Sequence, residues 1–230
     1  MKYGEGVMGM GIAAKNKIGV FDSGVGGLSV VNRIKKDLPG YDVIYATDKE
    51  HIPYGTKTPQ QLHGYVLPIL KRLADEGCKV IVIACNTVTT TIIGTLRQEL
   101  DVPLIGLEPM VKPAAKETKT GVIAVCATPT TLASKRYDLL KKTYARGMKI
   151  IQPDCSEWTK MIENNQLDIK QIYDRINYAL EEGADVIVLG CTHYHWIEET
   201  IKKIVNGRAK ILQPEVPVIH QLKRVLRQTA

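Results

Sequence analysis

The sequence predicts an α/β protein made of two pseudo-symmetric three-layer halves with mainly parallel sheets, and three observations predict it. Short, continuous β-branched runs alternate with amphipathic stretches along the whole chain, as strands buried on both faces of a parallel sheet alternate with covering helices. Two of those runs nearly repeat each other. "DEGCKVIVIACNT" at 75–87 and "EEGADVIVLGCTH" at 181–193 align without a gap, and Cys85 and Cys191 lie 106 residues apart in matched positions. Finally, polar and nucleophilic residues collect just after the strands, at the carboxyl ends where parallel sheets bind ligands. A site in the cleft between the halves is the expectation.

The elements follow in order. Strands are expected at 17–21, 42–46, 79–84 and 103–107 in the first half, and at 121–125, 149–151, 185–190 and 209–212 in the second. Leu62, Val66, Ile69, Leu70 and Leu73 recur at helical spacing, as do Ile169, Ile172, Ile176 and Leu180 behind Asp168 as a helix N-cap. Gly207 marks the stop of a helix near 196–206. The seam between the halves is placed at "LEPMVKPAAKETKTG", 107–121. The last helix carries Ile219, Leu222, Val225 and Leu226 on one face and is expected to fold back on the first half. Domains are therefore expected at 17–112 joined by 213–230, and at 113–212, with 1–16 as a loose N-terminal arm.

Composition narrows the class. The chain has 230 residues, 44% hydrophobic and 24% charged, enough to bury a self-sufficient core and too apolar for a disordered chain. No apolar run is long enough to span a bilayer, and the glycine-broken start does not read as a signal peptide, so a cytoplasmic protein without a membrane partner is expected. The net charge of +7 suits an acidic small molecule, and without a dense basic patch and aromatics no nucleic-acid partner is expected. Five cysteines, at 78, 85, 126, 155 and 191, are read as free thiols.

Each candidate motif has a plainer reading. "DSGVGG" at 22–27 has the glycines of a phosphate cradle but neither known phosphate-loop spacing, so a tight strand-to-helix turn is favoured. Cys191, His193 and His195 could face zinc, but there is no Cys-x-x-Cys pair and no second ligand cluster, so no metal is expected. His195 is read as a surface residue at a helix start. A lone free cysteine is ordinarily a small buried hydrophobe, the reading kept for Cys78, Cys126 and Cys155. Two cysteines in matched contexts at strand tips are read as a working pair. Thiols on opposite walls of one cleft suit removal of a proton from one face of a carbon and delivery to the other, with helix N-termini and nearby donors favouring the thiolate.

Five ordered segments, "IGVFDSGVGGLSV", "PYGTKT", "VIACNT", "VPLIGLEPMVKPA" and "VLGCTHY", closely resemble the signature segments of the glutamate racemases, members of the aspartate/glutamate racemase superfamily. The resemblance covers roughly residues 17–212. It implies a cofactor-independent, cytoplasmic isomerase that supplies D-glutamate for peptidoglycan. By the same resemblance Cys85 takes the α-proton from the D-enantiomer and Cys191 from the L-enantiomer. Asp22 is implied to assist the first thiol and His193 the second, with Asp48 as a further catalytic carboxylate. Ser23, Pro53, Tyr54, Gly55, Asn86, Thr87, Thr128 and Thr192 are implied to hold the amino acid. A homodimer stands among the implied assemblies, since relatives commonly dimerise.

Two departures are visible. A family glutamate supporting the second cysteine lies in a segment that begins Cys-Pro. Here it reads "QPDCSEWTKMIEN", where Glu157 is the nearest candidate and Glu163 the other. The usual "CTHYP" is "CTHYH", placing His195 and Trp196 beside the second site. Racemisation of aspartate or a small neutral amino acid, isomerase or lyase action on a diacid, and an inactive ligand-binding homologue remain the alternatives.

Overall fold

A computed structural model describes residues 16–228. The first half runs β1 (Lys17–Asp22), α1 (Leu28–Asp37), β2 (Asp42–Thr47), a 3-10 turn (Tyr54–Thr56), α2 (Pro59–Asp75), β3 (Cys78–Ile83), α3 (Asn86–Glu99) and β4 (Leu104–Gly106). In the second half come α4 (Val111–Glu117), β5 (Val122–Cys126), α5 (Pro129–Leu132), α6 (Lys135–Tyr144), β6 (Lys149–Ile151), α7 (Trp158–Glu163) and α8 (Ile169–Glu181). It closes with β7 (Val186–Leu189), a second 3-10 turn (Thr192–Ile197), α9 (Glu198–Val205) and β8 (Lys210–Leu212). A final helix, α10 (Glu215–Gln228), follows.

All eight expected strands form, each within one residue of the expected ends. They pair in parallel throughout, in the order β2-β1-β3-β4 and, independently, β6-β5-β7-β8. The same order in both sheets is the structural form of the sequence repeat. The β-branched composition has a direct cause, since both faces of each sheet are covered. Ile81 and Ile83 pack under α2 and α3, whereas Val80 and Val82 point to the face covered by α1 and α10. In the second sheet Ile187 and Leu189 face α8 and α9, and Val186 and Val188 face α4 and α6.

Local signals set the helix ends. Thr58 caps α2 by accepting from Gln61 N while the Gln61 side chain accepts from Thr58 N, and Pro59 occupies the first helical position. Asp168 caps α8 by accepting from Gln171 N at 2.9 Å. Ile172 and Ile176 are fully buried on that helix, but Ile169 is half exposed. The helix expected near 196–206 is shorter at its start: 192–197 is a 3-10 turn, and α9 ends on left-handed Asn206 and Gly207. Val218, Ile219, Leu222 and Leu226 of α10 are buried against the first sheet, beside α1. Residues 1–15 of the expected N-terminal arm lie outside the described residues, while the Asn16 carbonyl accepts from Asp42 N at 3.1 Å.

Candidate active site between the two sheets

The carboxyl ends of the two sheets face each other, and strand tips supply most of the site. Ser23 follows β1, Cys85 follows β3 and caps α3, and Cys191 follows β7 and leads the 3-10 turn. These residues line one cavity with Tyr54, Gly55, Asn86, Thr87, Thr128, Thr192 and His193. The space open to the centre of a water molecule is only about 10 Å³, whereas small-molecule sites ordinarily enclose roughly 300–1,000 Å³. The cleft is closed.

Three expected residues stand behind this wall. Asp22, wholly buried at the tip of β1, accepts at Oδ2 from Gly24 N and Gly27 N and at Oδ1 from the Thr192 hydroxyl at 3.1 Å. Asp48 accepts from the Tyr54 hydroxyl at 2.6 Å and contacts the His51 ring at 2.8 Å. Pro53 precedes the 3-10 turn that carries Tyr54 and Gly55. Asp22 and Asp48 thus reach the cavity through Thr192 and Tyr54.

The surroundings of the two thiols differ. Cys85 donates to the Ser23 hydroxyl at 3.8 Å and sits at the N-terminus of a 14-residue helix. Burial nevertheless pushes its thiol up to about 12, with the nearby Asp22 charge adding to it and the Val88 N–H opposing it. The expectation that a helix N-terminus would lower both thiols therefore fails at Cys85, where desolvation outweighs the dipole. The element that follows Cys191 is a 3-10 turn and not an α-helix. Cys191 instead has His193 Nδ1 at 3.8 Å.

His193 is 1% exposed and its Nε2 lies 2.5 Å from Glu163 Oε1. Burial opposes a charged imidazole there. Bonds to Cys191 and Glu163, with the Asp22 charge, prevail and hold it at about 10. The His193 bond in turn keeps Glu163 below the usual carboxylate range. Asp22 shifts the other way, raised by burial against the His193 charge and its hydrogen bonds. Glu163, at the end of α7, is therefore the carboxylate beside the second thiol. Glu157, the nearer candidate in sequence, occupies the N-cap position of α7 and makes no cap bond there.

Glu163 Oε1 also accepts from Val25 N at 3.0 Å, across the cleft. That contact explains "DSGVGG". A Cβ at Gly24 would lie 2.0 Å from Glu163 Oε1, and one at Gly26 would lie 2.7 Å from His193 N. These glycines are required by close approach of the other half, and Gly55 similarly admits Thr128. The loop is a contact surface and not a phosphate cradle.

His195 corrects a second expectation. Its side chain is only 3% exposed, with Nδ1 at 3.2 Å from both Glu215 of α10 and Ser29 of α1. It joins the second 3-10 turn to the first half and is no surface residue. Thr159 of α7 was not anticipated at all, yet it lines the cavity with its hydroxyl 3.9 Å from Cys191 Sγ. Two polar groups also await partners: both Oδ1 and Nδ2 of Asn86 are buried and unbonded. All five cysteines are free and buried. No group of potential metal ligands occurs among the described residues, and no helix among them is long and apolar enough to cross a membrane.

Comparison with known proteins points the same way. The Asp/Glu/Hydantoin racemase family model matches residues 18–229. The chain is 38% identical over 214 residues to the glutamate racemase of Pseudomonas syringae pv. tomato, covering 91% of this chain and 78% of that protein. It is also 38% identical over 216 residues to that of Clostridium botulinum, covering 92% and 84%. Among solved structures, Escherichia coli glutamate racemase in complex with L-glutamate and the activator UDP-MurNAc-Ala superposes with a TM-score of 0.86 at 27% identity, over 93% of this chain and 83% of that one. Francisella tularensis glutamate racemase in complex with D-glutamate gives 0.79 at 29% identity, over 93% and 81%.

Proposed function

The chain belongs to the Asp/Glu/Hydantoin racemase family, and from that premise we propose that it interconverts L- and D-glutamate without a cofactor, using Cys85 and Cys191 as paired acid and base. One observation carries the reading: two buried thiols from matched strand tips line a single closed cavity otherwise walled by hydroxyls, an amide and a histidine. The role that follows is supply of D-glutamate to the bacterial cell wall, in the cytoplasm.

The chemistry starts from an asymmetric resting site. Cys85 is held as a thiol by burial, ready to give a proton. A charged His193, braced by Glu163, stands next to Cys191 as counter-charge for a thiolate. In the forward direction the Cα–H bond of L-glutamate breaks and its proton forms the Cys191 S–H bond. The electron pair left on Cα spreads into the α-carboxylate, and the Cys85 S–H breaks to form a new Cα–H bond on the opposite face. The reverse reaction exchanges the roles. Asn86, with an unbonded donor and acceptor, suits an amino acid's carboxylate and ammonium, and the Thr87 and Thr128 hydroxyls suit a second carboxylate, while the Thr192 hydroxyl, which donates to Asp22, keeps a lone pair for the ammonium. Asp22 acts on Cys85 through its charge, making that sulfur a stronger base.

The test is proton NMR of L- and D-glutamate in heavy water with wild type, Cys85→Ser and Cys191→Ser. Loss of the α-proton signal from both enantiomers with inversion by wild type, and loss of inversion by at least about a thousandfold in each variant, supports the reading. Exchange of aspartate or small neutral amino acids but not glutamate would keep the mechanism and move the substrate. No exchange on any amino acid would leave a binding protein or an enzyme of diacids.

A further inference from the structure

Each thiol has one side-chain hydroxyl at nearly the same distance. Ser23 Oγ lies 3.8 Å from Cys85 Sγ and Thr159 Oγ1 lies 3.9 Å from Cys191 Sγ. The two hydroxyls come from unrelated places in the repeat, the tip of the first strand and the first turn of α7. Symmetry therefore does not account for the match, whereas a shared chemical need does. Thr159 is 7% exposed and lines the cavity.

A hydroxyl carries one proton and two lone pairs, so a thiol at Cys191 can donate to Thr159 Oγ1. A thiolate at Cys191 leaves no S–H, and the same hydroxyl, turned about its C–O bond, donates to the sulfur instead. Both protonation states are satisfied without moving a heavy atom.

We propose that Thr159 is the positioning residue of the second thiol, a rotating hydrogen-bond partner that serves Cys191 both as acid and as base. The inference rests on the two-thiol reading above. No covalent bond to Thr159 forms or breaks. In the forward step its proton turns away from the Cys191 sulfur as the substrate's α-proton arrives there.

The experiment compares wild type, Thr159→Val, Thr159→Ala and Thr159→Ser on L- and D-glutamate, including substrates deuterated at Cα. Because the two enantiomers have equal free energy, kcat/KM must fall equally in both directions. The expected fall is roughly tenfold for Thr159→Val and Thr159→Ala. The primary isotope effect separates the two half-steps: it rises for deuterated L-glutamate, whose deuteron Cys191 takes, and not for deuterated D-glutamate. Thr159→Ser restores both the rate and the isotope pattern. Circular dichroism confirms folding, and Thr159→Ala covers the case in which valine disturbs packing. Wild-type kinetics in the valine and alanine variants, a serine variant as slow as they are, or isotope effects that rise equally for both enantiomers would overturn the role. If wild type itself exchanges no α-proton, the two-thiol reading fails first, so the two failures are distinguishable.

Discussion

Glu163 and Asp22 illustrate opposite uses of a carboxylate, the first partly exposed and the second wholly buried. Glu163 completes a charged pair with His193, and Glu163→Gln removes the counter-charge while keeping the shape. The expected loss is about 1.5–3 kcal/mol of transition-state stabilisation, or roughly ten- to a hundredfold in kcat/KM, with folding intact. Stability should report the same pair. The His193 value is raised from 6.5 to about 10, so its contribution is fully present below pH 6.5 and fades as pH climbs through 10. The Glu163 value is lowered from 4.5, so its contribution is present above pH 4.5 and is lost as pH falls through its native value. The alkaline decline of a melting-temperature profile should thus be larger in wild type, and run to higher pH, than in Glu163→Gln, which has less to lose. Asp22 is raised from 3.8 by burial, so the protein is penalised once this carboxyl ionises. Asp22→Asn removes the ionisation but also one acceptor for Gly24 N, Gly27 N or the Thr192 hydroxyl, so its Tm should lose the fall with rising pH above 3.8 that this carboxyl brings. Its activity should fall by at least about tenfold, since Cys85 loses the charge that strengthens it as a base. A variant with the wild-type pH dependence of Tm and undiminished activity would refute this account of Asp22.

At the scale of elements, the glycine loop after β1 and the 3-10 turn after β7 are each other's wall. Gly26→Ala would set a methyl 2.6 Å from the Thr192 hydroxyl and 2.7 Å from a backbone nitrogen, and only separation of the two elements relieves that. Each half keeps its own core, so the variant should melt within a few degrees of wild type while KM rises and kcat falls together. An unchanged KM would argue against the contact. The strands were legible because residues such as Val80, Ile81, Val82 and Ile83 are buried on both sheet faces and so carry no alternation to misread. Asp168 and the Thr58–Gln61 box are local signals within three residues of their targets. Glu163 was harder, because its partners lie 30 and 138 residues away. Reading His195 as exposed failed for the same reason: Ser29 and Glu215, which bury it, are 166 and 20 residues distant. Thr159 offered no signal, since threonine on a short helix is ordinary until its neighbour is known to be a thiol.

For the whole molecule, two sheets with one strand order present two similar but unequal walls to one cavity. The inequality is chemical: one wall carries a helix N-cap thiol and the other a thiol beside a histidine. A ligand of the right shape should tie the halves together through Asn86 and the threonines on both walls. Hydrogen exchange at Gly24–Gly27 and Thr192–Ile197 is expected to slow by at least about tenfold on saturation with glutamate, with little change in the cores beneath α2 and α8. Equal protection everywhere would indicate global stabilisation rather than closure.

The cavity of about 10 Å³ has a mechanical consequence. No amino acid fits a space that small, so the glutamate reaction proposed above requires the halves to part. If that parting is slower than proton transfer, turnover depends on the medium: added sucrose or glycerol lowers kcat in proportion to microviscosity, and deuteration at Cα hardly alters it. The enzyme then keeps time as a hinge does, by friction rather than by bond strength.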